Sequence, residues 1–281
     1  MKKTKIGAVL SIIVILGASL SGCTQTKKVI DSTDIKINID EKEGPKVAVD
    51  KDNANAIKLG KIRFDKLESK TEEDKSISEK IENNANFNVA YTKLHYSEYD
   101  KTGNVITEDA TVAFDMTLKP NEKGFVEIVP NEFVDSIKIK SYEYYAQSKC
   151  INVDIATGKV SIEKRSLKIQ NSKQYESLLV SATETLDTEK AKTFNVKIKN
   201  TSATGLGNII LTVAHLNDKG EYTSVDHISC GTVLKPSDET SVEVTTDKGC
   251  QSIEIVGYMY DDLKENESVD VDFKSHIAII H

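Results

Sequence analysis

The chain has little of what enzymes usually need. Its 281 residues include four cysteines, four prolines, five histidines and only two arginines, Arg63 and Arg165. It has no phosphate-cradling glycine loop, no nucleophile elbow and no His-Glu-x-x-His, so those families of chemistry have no footing. No stretch combines a helical apolar period with capping residues, which argues against a helical bundle. Lysine replaces arginine almost throughout, a bias of the kind an AT-rich genome imposes. What is present is a soluble, core-forming composition, 38% hydrophobic and 29% charged, long enough for one large domain or two ordinary ones.

The N-terminus reads as an address. Lys2, Lys3 and Lys5 precede an apolar run from Ile6 to Leu20 that is broken only by Ser11 and Ser19. Fifteen residues suit the h-region of a signal peptide and fall short of the about 20 that a membrane span requires. Leu20-Ser21-Gly22-Cys23 follows, and it resembles the lipobox of bacterial lipoproteins. The resemblance implies cleavage between Gly22 and Cys23, with acylation of Cys23. Two or three acyl chains hold a protein stably where one is marginal. The expectation is a lipid anchor in a cell membrane, with the chain on its extracytoplasmic face, in a Gram-positive setting. Loss of three lysines takes the net charge from −7 to −10, which opposes nucleic acid or an anionic membrane surface as the main partner.

Residues 23–55 read as a flexible tether: from Thr24 to about Asn55 there is no aromatic residue, and charged and polar side chains dominate. Such a length spans roughly 30 Å root-mean-square. Within it, Ile35, Ile37 and Ile39 alternate with polar residues, which leaves open an edge strand docking on the head.

The rest of the chain is written twice. Laying Pro120 on Pro236 superposes Val126-Glu127-Ile128 on Val242-Glu243-Val244 and Ser136-Ile137-Lys138-Ile139 on Ser252-Ile253-Glu254-Ile255. Tyr142 and Tyr144 meet Tyr258 and Tyr260, and Val153-Asp154-Ile155 meets Val269-Asp270-Val271. With a slip of one residue upstream, Asn83 meets Asn200, and Asp100-Lys101-Thr102-Gly103 meets Asn217-Asp218-Lys219-Gly220. The units run over 56–165 and 166–281. Both alternate apolar and polar residues with period two, and both carry glycine-ended hairpin turns. The expected fold is all-β: two tandem immunoglobulin-like β-sandwich domains after a signal peptide and tether.

Asn200-Thr201-Ser202 ends a strand in the second unit, Tyr99-Asp100 with Gly103 closes a hairpin in the first, and a Leu-x-Pro, Leu118-Lys119-Pro120 or Leu234-Lys235-Pro236, precedes the next strand in both. This pattern resembles the FxLYD-type immunoglobulin-like domain of exported bacterial proteins. Tyr96-Ser97-Glu98-Tyr99-Asp100 stands for the name-giving motif in the first unit, and Val213-Ala214-His215-Leu216-Asn217 departs from it in the second. The family's glycine after the proline is Asn121 in one unit and Ser237 in the other. The resemblance implies a sandwich and an extracytoplasmic setting, and it transfers no catalytic residue.

Candidate functional residues are few. If Ile137 and Ile139 face the core, strict alternation turns Tyr142 and Tyr144 outward, and the same parity applies to Tyr258 and Tyr260. The four would then form aromatic patches for a protein or glycan partner. A bulge near Gly257 would instead reset the parity and bury them. Cys230 and Cys250, absent from the first unit, either form a disulfide or remain buried thiols, and Cys150 is left single. His215 and His227 flank one hairpin without a third ligand, so no metal is expected. Asp261, Asp262, Glu265, Glu267, Asp270 and Asp272 lack calcium-loop spacing and read as a solvated acidic loop. No cofactor is expected. The functional expectation is a non-catalytic envelope lipoprotein that recognises or assembles with an envelope protein or glycan. A passive spacer and an unrecognised extracytoplasmic enzyme remain as alternatives.

Overall fold

A computed structural model describes residues 56–60, 63–66, 75–131, 133–188, 191–246 and 249–281. The signal peptide, Cys23, the tether and the Ile35–Ile39 alternation lie outside the described residues. Nine strands form the first half. They are β1 (Ile57–Leu59), β2 (Arg63–Lys66), β3 (Lys75–Asn83), β4 (Ala90–Tyr99), β5 (Val105–Phe114), β6 (Lys123–Ile128), β7 (Ser136–Ala146), β8 (Lys149–Asp154) and β9 (Val160–Lys164). Nine more follow: β10 (Lys168–Asn171), β11 (Leu178–Asp187), β12 (Lys192–Asn200), β13 (Leu206–Leu216), β14 (Tyr222–Ser229), β15 (Glu239–Thr245), β16 (Ser252–Asp262), β17 (Glu267–Asp272) and β18 (Ile277–Ile280). The fold is all-β, and among the described residues a 3-10 turn at Ser172–Gln174 interrupts the strands.

In the first half, the sheet β5-β4-β7-β8-β9 faces strands β1, β3 and β6. Ile81, Leu94, Phe114, Leu118, Val126 and Ile151 fill the space between them. In the second half, β11-β12-β15 faces the sheet β14-β13-β16-β17-β18-β10 across Phe194, Val196, Ile198, Leu211, Val213 and Val271. These are sandwiches because each strand presents alternate apolar residues to one face, each contributing roughly 1.5–3 kcal/mol when fully buried.

The Lys-Pro phrase repeats as geometry. Asn83 donates from Nδ2 to the Leu118 carbonyl at 2.8 Å, as Asn200 does to Leu234 at 2.9 Å. Glu122 accepts from the Lys119 amide at 2.7 Å and Asp238 from the Lys235 amide at 3.1 Å. Asn121 and Ser237 follow the prolines at φ +67° and +69°. That is the left-handed conformation which explains a glycine preference there.

The halves are not beads on a string. Strands β6 and β14 meet in parallel at Gly124 and Tyr222, so one ten-stranded sheet runs through both sandwiches. Ala214, Tyr222 and Val256, on the outer face of the second half's large sheet, complete the first core.

Candidate functional site

The four tyrosines do not form a surface patch. Tyr142, Tyr144, Tyr258 and Tyr260 are all buried, the first pair in the first core and the second pair in the second. The cause is a bulge present in both copies. His95 pairs with Ser141 and Tyr96 with Ile139, leaving Lys140 unmatched. Thr212 pairs with Gly257 and Val213 with Ile255, leaving Val256 unmatched at the equivalent position. One extra residue reverses the parity, so isoleucines and tyrosines share the inward face. The rings pair at 6.3 Å and 6.0 Å between centroids. Tyr258 Oη accepts from the Leu178 amide at 3.2 Å, and Tyr260 Oη donates to the Tyr175 carbonyl at 3.1 Å. Burial raises all four phenols above their ordinary range.

Cys150, Cys230 and Cys250 are free thiols. The Cys230 amide bonds to the Ile209 carbonyl, while Gln251, next to Cys250, bonds to Leu216. Ile209 and Leu216 lie seven residues apart on β13, about 20 Å at strand rise, far beyond the reach of a disulfide. Burial raises the Cys230 thiol to about 11, which makes it a poor nucleophile.

The acidic segment is only partly a solvated loop. Asp262 accepts from the Lys264 and Glu265 amides at 2.9 and 3.1 Å, closing a turn. Asp270 and Asp272 are buried. Asp270 meets His281 Nε2 at 2.9 Å, and Asp272 accepts from the Lys274 amide at 2.7 Å and the Thr117 hydroxyl at 3.2 Å. Among the described residues, no three histidine, cysteine or carboxylate side chains gather as a metal site.

Chemically distinctive side chains collect instead where the halves meet. Lys274, almost completely buried, pairs with Glu122 across the junction. It also donates to Tyr222 Oη at 2.7 Å and lies 4.0 Å from that ring's centre. Tyr222 Oη donates in turn to Glu254 at 2.9 Å. Burial lowers the Lys274 ammonium below its usual range, and Glu122 opposes the shift. Lys80 pairs with Glu221, and Asn88 Nδ2 reaches the Lys274 carbonyl at 3.4 Å. On another flank, Ala90 and Tyr145 pack with Ile277, Ile279 and Ile169. Arg165 lies 3.7 Å above the Tyr145 ring, itself stacked on Tyr91 at 4.8 Å.

Beside this junction lies a groove of about 580 Å³ between β5, β6 and β14, lined in part by Tyr91, Phe114, Glu127, Ser224 and Val225. At its wall Asp115 accepts from His227 Nε2 at 2.9 Å, and the hydrogen bond raises the imidazole's pKa. The Thr212 hydroxyl lies 3.5 Å from Nδ1. Carboxylate, imidazole and hydroxyl in sequence superficially resemble a nucleophilic triad, but Thr212 is buried and has no access to a substrate. The arrangement fastens two sandwiches together. The sequence singles out His227 only as a histidine near His215, and Asp115 and Lys274 look like ordinary polar positions; the available signal is that the repeat's two copies differ there.

No protein-family model matches the chain, and no curated protein matches it. Among solved structures, the chain is similar to a red sea bream transglutaminase at 12% identity and a TM-score of 0.21, covering 72% of this chain and 28% of that one. It is also similar to the exo-chitosanase CsxA of Amycolatopsis orientalis at 12% identity and a TM-score of 0.21, covering 71% and 25%. The chain thus spans about a quarter of the length of those proteins, and likeness at this level carries no inference about activity.

Proposed function

We propose that the protein is a non-catalytic, lipid-anchored envelope protein whose paired FxLYD-like sandwiches form a rigid head for recognition or assembly outside the cell membrane. The observation that carries this reading is Leu20-Ser21-Gly22-Cys23 placed directly after a basic n-region and a fifteen-residue apolar run. The head supports it in two ways. The His227 imidazole is engaged by Asp115 at 2.9 Å with a buried threonine behind it. The buried Lys274, paired with the half-buried Glu122, joins the halves. Its partners are the membrane, through the anchor, and an envelope protein or glycan; the acidic charge disfavours nucleic acid.

The test is metabolic labelling with a radioactive fatty acid, with protease accessibility measured on intact cells. Label in the wild type, its loss in Cys23→Ala and an externally cleavable head are expected. An unlabelled wild type, or a head protected from external protease, contradicts the proposal.

A further inference from the structure

The two halves differ at one sheet edge. In the second, β10 pairs antiparallel with β18, setting Gln170 opposite Ala278 and Lys168 opposite Ile280. The Ser172–Gln174 turn then carries the chain from β10 to β11. In the first half β9 stands in the place of β18 and, among the described strands, ends its sheet with one edge unpaired. The side chains record the difference. Ile162 on β9 is 45% exposed where the copy has the buried Ala278, and Ile155 is 41% exposed where the copy has Val271 at 1%. Ile155 also lines, with Ile57, Leu59, Tyr142 and Val153, one cavity of about 510 Å³. An unpaired edge beside an apolar hollow is a surface that folded chains normally cover.

The chain holds an occupant of the right length and pattern. Ile57 and Leu178 occupy equivalent places, because the Ile57 amide bonds to the Tyr142 hydroxyl as the Leu178 amide does to Tyr258 Oη at 3.2 Å. Counted back from that pair without a gap, Val47-Ala48-Val49-Asp50 falls on Lys168-Ile169-Gln170-Asn171. The register of β10 then sets Val49 opposite Ile162 and Val47 opposite Lys164. Ile162 is paired on its other side with the buried Ile151, so both valines fall on the core face and cover it. Ala48 takes the place of Ile169, which packs on Ala90 and Tyr145 of the first half. On β9 that face is exposed at Ser161 and Glu163, where a methyl group is the better fit. Asp50 takes the place of Asn171, whose Oδ1 accepts from the Lys173 amide at 3.0 Å and starts the turn. Aspartate accepts such a bond equally well.

We propose that residues 47–50 add to the free edge of β9 as an antiparallel strand, and that residues 51–55 cross the mouth of the cavity as the Ser172–Gln174 turn crosses the second half. The cavity is then a seat for this chain's own N-terminal segment, and the tether between anchor and head ends at Lys46. Neither lipidation nor an envelope partner enters the argument, so its failure leaves the proposed function standing.

The test is hydrogen–deuterium exchange on the detergent-purified full-length protein, read by mass spectrometry. Amides of residues 47–50 should exchange at least about tenfold more slowly than those of residues 24–44. In the double variant Val47→Asp, Val49→Asp that protection should vanish and exchange should quicken in residues 161–163. Strands β10 and β18 should keep their wild-type protection, showing that the head is still folded. Residues 47–50 exchanging as fast as residues 24–44 in the wild type would overturn the proposal whatever the variant does. So would unchanged protection of residues 161–163 in the variant. Protection of residues 47–50 that appears only as protein concentration rises would equally overturn it, since a second copy would then be the partner.

Discussion

Glu79 is fully buried on β3, at the position that is Val196 in the second half's core. Neither carboxylate oxygen has a hydrogen-bond partner. The Gly60 amide, which would lower its pKa, is committed to the Lys80 carbonyl at 2.7 Å, and burial raises the carboxyl above its usual 4.5. An acid with a raised folded pKa favours folding fully only below its unfolded value. That contribution is lost as pH rises through the folded one. Glu79→Val should therefore stabilise the chain by roughly 1–3 kcal/mol at neutral pH. Urea titrations above and below pH 4.5 should show the gain shrinking in acid; an equal gain at both would contradict the assignment. Ser237, at φ +69°, makes a simpler case. Ser237→Gly should stabilise by about 1 kcal/mol, since only the αL strain of a side chain is removed. Asn121→Gly should give less, because asparagine tolerates that region; thermal melts of the two variants compare them directly.

At the scale of the strand, the repeat is legible, and of the two bulges only the one near Gly257 leaves a hint, the glycine itself. Gapless alignment of Val126-Glu127-Ile128 with Val242-Glu243-Val244 anticipates that β6 and β15 occupy matching places. Period-two alternation likewise identifies β12 and β15 as half-buried strands. Parity fails at Lys140 and Val256; Gly257 hints at the second bulge, whereas nothing beside Lys140 marks the first. The same bulge shows why the copies diverge. Lys140 pairs with the exposed Glu108 at 3.2 Å, whereas Val256 is buried against the first half's core. Gly124 records a similar constraint. A Cβ there would lie 2.4 Å from Phe114 Cζ, and the matching residues of the second half, Thr240 and Cys230, make no such crossing necessary. Gly124→Ala should cost about 1–3 kcal/mol by overpacking. Phe114→Leu in the same chain should recover part of that loss, and simple additivity of the two costs in a urea double-mutant cycle would refute the contact.

Across the whole molecule, several residues the copies do not share lie where the sandwiches join. Asp115, Glu122, Tyr222, His227, Val256 and Lys274 tie two similar folds into one body, and none of them announces this in the sequence, since each acts on a partner far along the chain. His227 adds a pH dependence to the junction. Its pKa is raised by Asp115, so its contribution is complete below the unfolded value of 6.5 and disappears as pH rises through the folded one. His227→Gln should remove that dependence from thermal melts taken between pH 5 and 9. Lys274 is the stronger fastening. Lys274 is buried but Glu122 keeps part of its solvent access, so removing the lysine costs about 3 kcal/mol at most. The most direct measurement is differential scanning calorimetry of the wild type beside Lys274→Met. A fused head predicts one cooperative transition in the wild type, with equal calorimetric and van't Hoff enthalpies, and two resolved transitions in the variant. Two independent transitions in the wild type, unmoved by the substitution, would contradict it.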